Sequence, residues 1–195
     1  MASDNNPRTS LFLGGSTSNE IFAFRVQARN DNIRLNDLTF SGAGLDNFSN
    51  FRLRTPSGAF VSASTASSGA VTFRDMNLSE TVNADNTATF FIVADANTNT
   101  NATGIVIGFD DSVTALNQFR GTNGQLYGLT GVTANISGNP HAVSDNRAVV
   151  AKASNPSKEI TSSALRFTVT ASGRDAVVLS GASLDVSLSG YDVGS

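Results

Sequence analysis

Cysteine is absent from the 195-residue chain, which removes disulfides, thiolate metal sites and cysteine nucleophiles together. Tryptophan is absent too, and only Tyr127 and Tyr191 carry a polar aromatic ring, so the aromatic platform on which sugars usually stack is thin. His141 is the only histidine. A nucleophile triad needs that imidazole held between a hydroxyl and an acid, yet it follows Asn139-Pro140 and is expected in a solvent-exposed loop. No catalytic residue is assigned, no transition-metal ligand set can be assembled, and the chain reads as a non-enzyme. Charged residues are only 15% of the total and the net charge is −3. No basic cluster offers the concentrated positive footprint of nucleic-acid binding. No run approaches the ~18 apolar residues of a membrane span. Met1-Ala2-Ser3 has neither the charged nor the apolar region of a signal peptide, so an export signal would have to lie upstream of this sequence.

What the chain does have is Asn, Ser, Thr and Gly, the residues of turns and of solvent-facing strand positions. It also has apolar residues that alternate with polar ones. The stretch 20–42 carries the pattern: Phe22, Phe24, Val26 and Ala28 share one parity, Ala23, Arg25 and Gln27 the other, and a turn at 29–32 leads to Ile33 and Leu35. A period of two predicts an extended strand with one buried face. Beyond Leu35 the parity changes, since Leu38 and Phe40 fall on the opposite phase. One extra residue at Asn36-Asp37 would restore facing, which predicts a β-bulge. A looser copy begins at Leu165, Phe167, Val169 and Ala171 and continues to Val177-Val178-Leu179, as tandem units do.

Further strands are expected at 10–14 along a sheet edge, and at 51–54 and 59–63 joined by the Thr55-Pro56-Ser57-Gly58 turn. Others fall around Val71 and Phe73, at 87–96, at 104–110 with Ile105, Ile107 and Phe109 inward, and at 132–137 and 142–151. Eight or more short strands with turns every 8–15 residues indicate an all-β sandwich. The organisation expected is a disordered lead-in over 1–9, an antiparallel β-sandwich over 10–151, and a partial second β unit over 152–195, too short to close a sandwich of its own.

This order of segments, with Asn50-Phe51-Arg52-Leu53, Gly69-Ala70-Val71-Thr72-Phe73, Thr89-Phe90-Phe91-Ile92-Val93-Ala94-Asp95-Ala96 and Thr103-Gly104-Ile105-Val106-Ile107, resembles the tandem Ig-like repeats of large bacterial surface and S-layer-type proteins. Ala164 to Ala171 resembles the opening of the next repeat. The resemblance implies Ig-like units, an extracellular, cell-surface location and a structural or filament role.

Two kinds of site follow. Asp85, Asn86, Asp95, Asp110 and Asp111 would suit calcium if they converged at one end of the sandwich, since calcium takes six to eight hard oxygens. The alternative is solvated turn carboxylates, and no other cofactor is expected. An unfinished sheet leaves backbone groups that another chain can pair. The assembly residues are then Leu11, Phe12 and Leu13 as donor and Leu165, Phe167 and Val169 as acceptor, with homo-oligomers or neighbouring repeats as partners. The alternative function is a carbohydrate- or cell-wall-binding module, for which Tyr127 exposed beside an Asn/Asp cluster would be the sign.

Overall fold

The computed structural model describes residues 5–67, 69–76, 80–109, 117–128, 136–152 and 167–173, with 176, 178 and 181. The chain divides into two compact units, Met1–Asp145 and Asn146–Ser195.

The first unit is an all-β sandwich. One layer is a four-stranded antiparallel sheet in the order β2 (Asn19–Gln27), β8 (Thr87–Ala96), β4 (Phe48–Arg54) and β5 (Phe60–Ser62). The other is centred on β3 (Ile33–Ser41), with β7 (Ala70–Phe73) and β6 (Thr65–Ser67) on one side and β11 (Gln118–Gly121) and β12 (Leu126–Gly128) on the other. The two-residue β10 (Gly108–Phe109) pairs with Ser41 and Phe40 of β3. A smaller sheet runs β1 (Leu11–Leu13), β13 (His141–Ser144), β9 (Ala102–Ile105). Only Val106 and Ile107 separate β9 from β10.

Alternation decides which residues meet between the layers. Phe22, Phe24 and Val26 of β2 and Phe90, Ile92 and Ala94 of β8 are buried from one side. Leu35, Leu38 and Phe40 of β3 and Val71 and Phe73 of β7 are buried from the other. Phe24 is the hub: its ring lies 5.3 Å from Phe40, 5.6 Å from Phe90 and 5.8 Å from Phe109, spacings at which aromatic pairs attract beyond their area.

The bulge expected at Asn36-Asp37 is present. Gln118 opposes Asp37 while its neighbour Phe119 opposes Leu35, so Asn36 is the extra residue and Leu35 and Leu38 both reach the core. Its polar groups are satisfied locally. Asn36 Nδ2 donates to Asp37 Oδ1 (3.0 Å), the Asp75 N–H donates to the same oxygen (2.8 Å), and Arg120 Nη2 donates to Asn36 Oδ1 (3.2 Å). Between β3 and β4, Leu45–Asn47 forms one turn of 3-10 helix that buries Leu45.

Residues 5–9, expected as a free lead-in, are held. Asn6 Oδ1 accepts the Ala23 N–H (3.1 Å) at the outer edge of β2, and Asn139 Nδ2 donates to the Pro7 carbonyl (2.9 Å). The expected boundary at 151/152 also moves. Residues 142–151, read as one strand, divide at Asp145: β13 belongs to the first unit, while β14 (Asn146–Lys152) pairs residue for residue with β15 (Phe167–Gly173) in the second. Seven cross-strand pairs outweigh the continuity of the alternating run.

Candidate functional site

The carboxylates expected at a calcium site are not brought together. Asp85 sits in the turn before β8 with a left-handed backbone (φ 61°), and its Oδ1 faces the Asn30 N–H. Asp95 lies near the other end of the same strand, roughly 30 Å away at the rise of an extended chain. Asp110 and Asp111 lie outside the described residues. Among the described residues, no three acidic or histidine side chains gather as a metal-ligand set.

Asp95 has a different use. Its carboxylate accepts the Ser18 N–H (2.7 Å), Asn50 Nδ2 (2.9 Å) and Arg52 Nη2 (3.1 Å). Burial works to raise its pKa, but these donors outweigh burial and hold it below the ordinary carboxylate value. The cluster fixes the hinge between β1 and β2 to the outer face of the four-stranded sheet. On that face Arg54 pairs with Glu20 (2.6 Å) and stacks 4.3 Å from the Phe91 ring centroid, and Arg52 lies 5.4 Å from that of Phe60. These guanidinium groups are spent on internal partners.

The expected donor strand is seated in its own unit. Leu11, Phe12 and Leu13 pair in parallel with Ala142, Val143 and Ser144, and the ladder is extended by Ala142 N–H to Ser10 O and Gly14 N–H to Ser144 O, both 2.9 Å. Phe12 packs edge-on against Phe48 (5.8 Å) and tilted against His141 (5.3 Å). His141 is not the exposed loop residue expected from Asn139-Pro140: it opens β13 and is 2% exposed. It shares parity with Val143, also buried, and that shared parity is the signal that would have placed it inward. Its Nε2 lies 2.9 Å from the Ile21 carbonyl. A carbonyl only accepts, so Nε2 carries the proton and Nδ1 is left buried with no hydrogen-bond partner among the described residues.

No protein family, curated protein or solved structure matches this chain. Function has to be read from these residues.

The expected acceptor residues divide. Leu165 lies outside the described residues, while Phe167 and Val169 are on β15. The register puts Phe167, Val169 and Ala171 on one face with Val150 and Ala148 of β14, and Thr168, Thr170 and Ser172 on the other. Among the described residues of this face, Val150 is 64% exposed and Phe167 48%. The matching residues of the first copy, Phe22, Phe24 and Val26, are all buried under a second sheet.

Tyr127 is on β12, 40% exposed. Asn123 Nδ2 donates to its hydroxyl (3.2 Å), while Asp31 accepts from the Thr122 hydroxyl (2.8 Å). The Tyr127 ring, Asp31 and Asn123 all approach the open side of Gly121.

Proposed function

We propose that this chain is a structural module of the cell surface whose second unit joins neighbouring repeats or further copies through its sheet. The observation that carries this reading is the exposure of Val150 on β14 and Phe167 on β15. A two-stranded hairpin by itself is marginal in water, and contiguous exposed apolar surface marks an interaction site. The first unit supplies the pattern for its completion: the same alternation on β2 has β8 along its edge and a second sheet across its face. A partner giving β15 both would complete a sandwich, and a head-to-tail arrangement of such contacts propagates as an open filament.

The test is size-exclusion chromatography with light scattering, and electron microscopy, of the purified chain beside Val150→Asp and Phe167→Asp. The reading expects concentration-dependent oligomers or fibres that both substitutions suppress.

A second reading, a carbohydrate- or cell-wall-binding module, draws on Tyr127 exposed beside Asn123 and Asp31. Polysaccharide pull-down with the chain and with Tyr127→Ala tests it, and binding abolished by the substitution would favour this reading over the first.

A further inference from the structure

We propose that the groove along β13, floored by His141 and Phe48, can exchange its own β1 for the β1 of a second copy, and that protonation of His141 opens it. The occupant is defined by the structure, because β1 already fills this groove within one copy, and an identical strand from another copy meets the same ladder and the same pocket for Phe12. The inference deepens the assembly proposed above and rests on that reading only for its biological use.

Three observations carry it. First, β1 is weakly held: three residues at a sheet edge, Leu11 exposed, with Phe12 its anchor among the rings. Second, the hinge to β2 is constrained. Its strain sits at Ser18, a non-glycine residue with a left-handed backbone (φ 57°), and short strained hinges favour swapping because extension relieves them, here in exchange for the Ser18 N–H bond to Asp95. Third, His141 lies beneath the strand with Nδ1 buried and unpartnered. A second proton would place an N–H and a full charge where no acceptor waits.

Among the described residues, the neighbouring elements offer that charge no partner. β1, β9 and β13 carry no other charged side chain. The charged residues of β2, Glu20 and Arg25, pair across the sheet with Val93 and Thr89 on its outer face, and Arg52 and Arg54 of β4 lie on that face with Asp95 and Glu20. Asp145, just past β13, accepts the Thr100 N–H, and Arg8, before β1, gives its carbonyl to Ser10. Burial accordingly pushes the imidazole below its ordinary range, partly opposed by the Ile21 carbonyl.

The test is amide hydrogen exchange on the full chain between about pH 7 and about pH 5, corrected for intrinsic rates, with native mass spectrometry of mixed isotopically labelled and unlabelled copies. Gly14 and Ala142, whose N–H groups bridge β1 and β13, are expected to lose protection by up to about tenfold per pH unit below the ordinary imidazole pKa. Ile33, bonded to Val82 in the sandwich, is expected to stay protected, and mixed dimers are expected once copies acidified together are returned to about pH 7, where the neutral groove again accepts β1 from either copy. His141→Gln keeps a donor for Ile21 and removes the titration, so it should stay protected at both pH values and, combined with Phe167→Asp to silence the other face, stay monomeric. If that variant does not fold, Phe12→Ala serves: it should expose Gly14 and Ala142 at both pH values and form fewer dimers.

Unchanged protection of Gly14 and Ala142 across this range overturns the proposal. So does their loss together with Ile33, which is global unfolding, and so does release without mixed dimers. Intact acid release and exchange in a chain whose assembly ignores Phe167→Asp would sink the proposed function and leave this inference standing.

Discussion

Phe24 touches four other aromatic rings, those of Phe22, Phe40, Phe90 and Phe109, and it is almost fully buried. Phe24→Ala removes that hub and leaves a cavity, so unfolding by denaturant is expected to become easier by about 3–5 kcal/mol. Two titrating residues give the chain two separate acid responses. Both His141 and Asp95 have pKa values lowered in the folded state, so in each case the unfolded chain takes up the proton first and stability falls as pH falls. For His141 the loss begins as pH drops below the ordinary imidazole value of 6.5. For Asp95 it begins only below the ordinary carboxylate value of 3.8. Thermal melts against pH should show both steps, with Asp95→Asn flattening the lower and His141→Gln the upper. A melting temperature independent of pH between about 7 and 5 would contradict the buried, half-partnered imidazole.

At the scale of strands, backbone contact sets limits that side-chain pattern does not reveal. Gly42 closes β3, where an added Cβ would collide with the Val106 carbonyl oxygen. Gly42→Ala must therefore push β3 away from the link between β9 and β10, with an expected cost of about 1–3 kcal/mol in a denaturant titration. The bulge makes the opposite point. Deleting Asn36 would leave Leu35 two positions from Leu38, on the same face without a bulge, so cooperative unfolding is expected to survive with the loss of the Asn36 bonds to Asp37 and Arg120. That bulge was legible because three apolar residues on β3 declare the break in parity. The inward run of Phe22, Phe24 and Val26 and the hairpin around Pro56 were legible for the same local reason. The parallel seat of β1 on β13 was not, since more than a hundred residues separate the strands and nothing near Leu11 encodes a partner so distant. His141 was misplaced because Asn139-Pro140 signals a turn more strongly than a single shared parity with Val143 signals a strand. Asp85 and Asp95, close in sequence, were held apart by the straightness of β8, which a list of acidic residues does not convey.

For the molecule as a whole, the two copies of one pattern have different surroundings. In the first unit Phe22, Phe24 and Val26 are closed under a second sheet, while in the second Phe167, Val150 and Ala148 face outward on a hairpin. The same alternation that makes a core in one place leaves apolar side chains exposed in the other. The choice between a mechanical role and a binding role rests on whether that surface is used. The most direct measurement is light scattering of the purified chain over a concentration series, beside Val150→Asp and Phe167→Asp. The account predicts assemblies that grow with concentration and revert to single copies in both variants. A chain that stays a single copy at every concentration, or assemblies that neither substitution affects, would contradict it.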